Sequence, residues 1–188
     1  MTSDSAQHPY TVVAFSGSIR SGSSNTGLLH LAARVAPPEL RVMIDTTVVD
    51  LPWYDPDLEG SLPDVAADWR RTVEDADALV IGLPEYNFGP SALAKNAIDW
   101  LTRPLGQHAL RGKVIALVTS GGGGGGSRVQ GTIAPVLSLL GNTVVEEPVV
   151  QIARGAERLS ADGTTDDSEI VDVVTAKMAA LLVALRAR

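Results

Sequence analysis

The stretch Ala78-Leu79-Val80-Ile81-Gly82-Leu83, residues 78–83, is apolar or glycine at every position and stops at Pro84. A strand with one wet face would alternate. An unbroken apolar run closed by a residue that cannot extend a ladder reads as a strand covered on both sides. Past the loop that follows it, Leu93, Ala97, Ile98 and Leu101 fall on one face of a helix over residues 91–101. The same unit recurs along the chain. Thr11–Phe15 (TVVAF) precedes a helix over 25–36, which Pro37-Pro38 ends. Arg41–Asp45 reads as a strand, and the helix over 64–75 carries Val65, Trp69 and Val73 at i, i+4 and i+8. Lys113–Thr119 (KVIALVT) leads to a helix over 128–140, with Gly141 suited to a left-handed C-cap. Thr143–Val150 is a fifth strand. The last helix, 168–186, has acidic residues in its first turn and arginines in its last, as the helix dipole favours. Residues 51–63 and 154–167 read as polar, turn-rich loops. Five apolar strands alternating with five helices imply a parallel, doubly wound α/β sheet.

Composition bounds the function. The 188 residues suit one α/β domain, with 45% hydrophobic and 20% charged residues. A net charge of −7 argues against a nucleic-acid or anionic-membrane surface. The absence of cysteine excludes disulfides, thiolate metal sites and a cysteine nucleophile. His8, His30 and His108 are too scattered for a metal motif, so no metal is expected. The opening MTSDSAQHPY has no apolar signal-peptide core, and no apolar run approaches the roughly 18–20 residues that cross a bilayer. The expectation is a cytoplasmic protein that touches neither nucleic acid nor membrane, with residues 1–9 disordered.

In doubly wound sheets ligands bind beyond the carboxyl ends of the strands. The unusual residues of this chain cluster there, after Phe15, Leu83 and Thr119. Residues 17–25 (GSIRSGSSN) have the glycine spacing of a nucleotide P-loop, but Ser23 stands where its lysine belongs. Ile19 likewise stands where the dinucleotide fingerprint needs its second glycine. What remains, hydroxyls, helix N-terminal amides and Arg20, suits one terminal phosphate; the alternative is an ordinary Ser-rich N-cap with an exposed arginine. Residues 84–90 (PEYNFGP) form a stiffened loop able to aim main-chain groups at a heterocycle. Tyr86, Phe88 and Trp100 read as packing or subunit-contact residues, Trp100 above all. Residues 120–128 (SGGGGGGSR) let a flat ligand approach the backbone, with the dipole of the next helix behind it; the alternative is a flexible linker. A mononucleotide with one phosphate and a planar ring, such as flavin mononucleotide (FMN), fits all three loops.

Four segments, GSIRSGSSNTGLL (17–29), LPWYDPDLE (51–59), PEYNFGPSALAKNAIDW (84–100) and SGGGGGGSRVQGTIAPVLSLLG (120–141), resemble the NADPH-dependent FMN reductases of the flavodoxin-like fold. Relatives of that family include quinone, azo-dye and chromate reductases. The resemblance spans almost the whole chain, and PEYN…KNAIDW together with GSxRxxSxN is its most specific part. It implies a single flavodoxin-like FMN-binding domain over 1–188, a three-layer α/β/α sandwich with five parallel strands in the order 2-1-3-4-5. It implies that Ser18, Arg20, Ser23, Asn25 and Thr26 hold the FMN phosphate. Pro84, Glu85, Tyr86 and Asn87, with Ser120, Gly121 and Gly123, would border the isoalloxazine. The chain departs from the family at Ser91-Ala92, where many members have Pro-Gly, at Ala94, where they have Leu, and in its extra glycines.

The activity implied is hydride transfer from NADPH or NADH to FMN, and on to a flavin, quinone or similar small acceptor. No catalytic side chain is expected, because the flavin carries the chemistry. Backbone amides and the helix dipole at Ser120–Ser127 would steady negative charge on the reduced ring. The alternative is a flavodoxin-type electron carrier that binds FMN without oxidising NAD(P)H. A homodimer or dimer of dimers is expected, giving the Trp100 region and Arg128 something to contact.

Overall fold

The protein was analysed as a computed structural model that describes residues 9–104, 106 and 108–188. The disorder expected for residues 1–9 falls, for 1–8, outside the described residues. The chain runs β1 (Tyr10–Ser16), α1 (Ser24–Val35), β2 (Leu40–Ile44), α2 (Asp64–Glu74) and β3 (Ala78–Gly82), then the short strands β4 (Glu85–Tyr86) and β5 (Gly89–Pro90). It continues with α3 (Ala92–Leu101), β6 (Val114–Gly121), α4 (Val129–Leu139), β7 (Thr143–Ala153), α5 (Gly155–Arg158) and α6 (Ser168–Arg186). The main sheet is parallel in the order β2-β1-β3-β6-β7. With the hairpin β4–β5 set apart, this is the expected 2-1-3-4-5 of flavodoxin-like sheets.

Strand periodicity divides the core. Val13, Phe15, Leu79, Ile81, Ile115 and Leu117 face α2, α3 and α4; Val12, Ala14, Val80, Ala116 and Val118 face α1 and α6. The central β3 is buried at all five positions, as its unbroken apolar run requires. Trp69 packs edge-on against Phe15 and donates from Nε1 to the Ala97 carbonyl at 3.1 Å. Trp100 lies fully in the core and donates to the Pro52 carbonyl at 2.8 Å, so it is not available to a subunit contact. Among the described residues no helix is long and apolar enough to cross a membrane.

Three elements differ from the expectations. Asn87 and Phe88, both at positive φ, close a two-residue hairpin inside the 84–90 loop; that backbone matches the twist of paired strands. The 154–167 loop begins with α5. β7 extends to Ala153, three residues past Val150, because its ladder restarts: Val145 pairs with Ala116, and the next pair is Val150 with Val118. Residues 146–149, between these pairs, have no ladder partner. Lys177 of α6, fully buried, meets the chain where the ladder breaks, with Nζ donating to the Val145 and Glu146 carbonyls at 2.7 and 3.0 Å.

Candidate functional site

The loop after β1 is braced from within. Ser16 Oγ accepts from the Ser18 amide and from Thr26 Oγ1, at 3.2 and 3.0 Å. Ser18 Oγ accepts from the Arg20 amide. Ser23 caps α1, accepting from the Thr26 amide, while the amides that open a helix have no partner within it. Ser91 caps α3 and donates from Oγ to the Gly17 carbonyl at 2.7 Å, so the Ser91 departure ties the first loop to α3.

Glu85 has a role its neighbours in sequence do not announce. Its Oε2 accepts from the Arg128 and Val129 amides at 2.7 and 3.0 Å, capping α4 from a distant loop. The dipole end expected to face the ligand is therefore already met by a carboxylate, and that expectation is corrected. The amides left to act on a ligand are those of the glycine turn itself.

The glycine run is not a linker. Gly122 accepts from the amides of Gly125 and Arg154, and Gln151 donates to the Gly124 carbonyl. At Gly126, with φ +79°, a Cβ would stand 2.3 Å from Thr119 Oγ1. Gly122 and Gly123 have nothing within 4 Å of where a Cβ would be, so their backbone faces open space. Asn25 binds the next strand end: Nδ2 donates to the Ser120 carbonyl at 2.8 Å, and Oδ1 accepts from its amide at 3.0 Å. Both ends of that amide are engaged, so Asn25 braces the end of β6, and the second hydrogen of its Nδ2 remains available to a phosphate.

These loops enclose a cavity of about 430 Å³, within the range of small-molecule sites. Ser18, Arg20, Ser23, Asn25, Pro84, Glu85, Tyr86, Ser120, Gly121 and Gly123 line it, ten of the residues singled out from the sequence. Thr26 and Asn87 do not: the Thr26 hydroxyl turns to Ser16, and Asn87 sits exposed at the hairpin tip. A fourth segment, invisible to the sequence reading, adds Arg154 with Ala156 and Glu157. Arg154 adopts a left-handed conformation (φ 50°, ψ 38°) where β7 ends. Gly155 then packs so closely that a Cβ would meet Ser120 Oγ at 1.7 Å. An arginine and a glycine directly after an apolar strand were the available signal.

The cavity fits FMN in its donor set. Arg20 and Arg154 both line it, and neither forms an ion pair among the described residues. Hydroxyls and helix-start amides lie beside Arg20, and the open backbone of Gly122–Gly123 leaves room for a ring. The carboxylates that line the cavity are Glu85, engaged as a cap, and Glu157.

The sequence profile of NADPH-dependent FMN reductases matches residues 10–157. A 2-hydroxy-1,4-benzoquinone reductase of a Burkholderia species is 34% identical over 149 residues, 78% of this chain and 80% of that protein. An NAD(P)H:quinone oxidoreductase of Solanum tuberosum is 33% identical over 189 residues, covering 97% and 94%. Among solved structures, the flavoenzyme NAD(P)H:(acceptor) oxidoreductase FerB of Paracoccus denitrificans superposes with a TM-score of 0.85 at 29% identity, covering 94% of this chain and 97% of that one. With the profile spanning every strand of the sheet and all four segments that line the cavity, the chain belongs to the NADPH-dependent FMN reductase family.

Proposed function

We propose that this protein binds FMN in the cavity at the strand ends and uses it to oxidise NAD(P)H and reduce a quinone, flavin or similar small acceptor. The observation that carries the reading is the meeting, in one cavity of a chain of this family, of two guanidiniums without ion-pair partners among the described residues and a bare glycine backbone. FMN supplies the hydride chemistry. The protein's own residues bind and orient. Arg20, Ser18 and the α1 amides oppose the phosphate. Pro84, Glu85 and Tyr86 wall the ring on one side, and Ser120–Gly123 meet its edge with backbone groups. Glu85, Asn25 and Ser24 hold these loops in register through their bonds to α4 and Ser120. The protein should purify yellow or turn yellow with FMN, and NADPH alone should bleach it. A flavodoxin-type carrier would stay yellow until a partner reductase was added.

Because one flavin face must serve donor and acceptor in turn, initial rates at several acceptor concentrations should give parallel double-reciprocal lines. Intersecting lines would require both substrates bound at once. A cytoplasmic site of action agrees with the absence of cysteine.

We further propose a homodimer, or a dimer of dimers, joined through α3 and α4. An apolar groove of about 590 Å³ runs between them, lined by Ile98, Ile133, Val136 and Leu140, and Leu139 beside it is 88% exposed. Light scattering should give a mass of at least about two 19.7 kDa chains. A monomer at micromolar concentrations would refute this.

A further inference from the structure

We infer that a second cavity, beside the proposed FMN site, seats the electron acceptor and takes an uncharged planar ring of the quinone type, with Trp53 as its principal wall. The inference rests on the FMN reading above. The cavity measures about 460 Å³ and shares Ser18 and Tyr86 with the first, so the two adjoin across those residues. Four large apolar side chains that the fold leaves in water converge on it: Ile19, Val49, Trp53 and Tyr86, exposed by 79, 51, 71 and 51%. Isolated exposed apolar residues are ordinary; several lining one concavity mark a binding surface.

The exposure of Trp53 is built in. Asn96 Oδ1 accepts from the Tyr54 amide at 2.8 Å, and its Nδ2 donates to the Pro52 carbonyl at 3.0 Å. Trp100 donates to the same carbonyl. Leu51 is buried before it, and the Tyr54 ring packs edge-on against Trp100 after it. Both neighbours of Trp53 are thus anchored while the indole is held outward. The turn Thr47–Val49 acts likewise, burying Val48 and leaving Val49 to the cavity.

Charge decides the class of ligand. The FMN cavity is lined by Arg20 and Arg154, whereas no residue lining the second cavity carries a formal charge. Its polar floor is already engaged, Ser91 with Gly17 and Asn96 with the 52–54 backbone. Nothing there opposes the phosphates of a dinucleotide, and an apolar ring meets an aromatic wall. The overall exchange, NAD(P)H + H⁺ + quinone → NAD(P)⁺ + quinol, balances without a further reactant.

The test uses the FMN-loaded protein, menadione as the apolar probe and ferricyanide as a charged acceptor. Trp53→Ala should raise the KM for menadione by about 10-fold, a loss of about 1.4 kcal/mol, while Trp53→Phe keeps most of the affinity and the KM for ferricyanide holds. Independently of turnover, menadione should quench tryptophan fluorescence saturably in the wild type and not in Trp53→Phe, whose remaining Trp69 and Trp100 are buried. An unchanged menadione KM with no saturable quenching overturns the inference. So does a rise in the KM for NADPH instead, which would make this the donor's seat, or a fall in mass of the Trp53→Ala protein, which would make it a subunit contact. If NADPH fails to bleach the flavin, the FMN-reductase reading fails, and the quenching arm still decides this cavity on its own.

Discussion

Arg20→Ala is expected to weaken FMN binding by roughly 10- to 150-fold, with riboflavin affinity unchanged. Arg20 is the only cation in the 17–25 loop and has no ion-pair partner among the described residues, its side chain making there a single weak donation, at 3.4 Å, to the Gly22 carbonyl. A phosphate monoester there carries close to two negative charges near neutral pH. A charge-assisted hydrogen bond is worth about 1.5–3 kcal/mol, which sets the range at tenfold per roughly 1.4 kcal/mol. The loop itself should survive, since Ser16, Ser23 and Ser91 hold it through bonds that do not involve the arginine side chain. Arg154 lines the same cavity. Arg154→Ala should cost FMN less than Arg20→Ala, because it projects from the far strand end, and the double variant should lose more than either. The measurement is titration of apoprotein with FMN and with riboflavin at low and moderate salt, the FMN effect being larger at low salt. Equal losses for FMN and riboflavin would mean that this loop does not hold the phosphate.

How much of this was legible in the sequence follows the range of the interactions. The central strands and the helices between them were readable because local pattern and tertiary role agree: Ala78–Gly82 is apolar because both faces are covered, and Gly141 sits at φ +83° because α4 ends there. The P-loop and dinucleotide alternatives fell on single positions, Ser23 and Ile19. What stayed hidden depends on partners far along the chain. Glu85 is a helix cap, but the helix begins at Val129, after three further elements. Asn25 has the residue type of a phosphate ligand, and only the fold shows that Ser120 takes both ends of its amide. Arg154 enters the cavity because Gly155 lets the chain pass against Ser120, a partner 35 residues away that the Arg-Gly pair does not name. Trp100 reads as a packing or a subunit-contact residue, and only the fold decides for packing, since α3 turns it into the core. The break in the β7 ladder has a partner that the strand itself does not carry, since the Val145 and Glu146 carbonyls beside it are answered from α6.

That answer, Lys177, makes the stability of the fold depend on pH in the alkaline range. Burial pushes its ammonium down to about 8 from an ordinary 10.5, against the opposing pull of Glu147 and Glu146. Between these values the unfolded chain holds the proton and the folded chain does not, so folding gains as pH rises from about 8 to 10.5. Below about 8 both states are charged, and the cost of burying the ammonium is borne in full. The neutral amine keeps two N–H donors, enough for both the Val145 and Glu146 carbonyls. The full shift is worth roughly 3–3.5 kcal/mol at 1.36 kcal/mol per unit, of which roughly 2–3 kcal/mol is realised by pH 10. Lys177→Met keeps the buried stem and removes the proton equilibrium. Urea unfolding at pH 7 and pH 10, with saturating FMN in every sample so that ligand linkage is common to both proteins, should show the wild type gaining roughly 2–3 kcal/mol relative to the variant. The same comparison between pH 5 and 7 should be flat, because neither state releases the Lys177 proton there. Parallel pH profiles from 7 to 10 would mean that Lys177 stays charged in the fold, stabilised by Glu146 and Glu147 more than burial disfavours it.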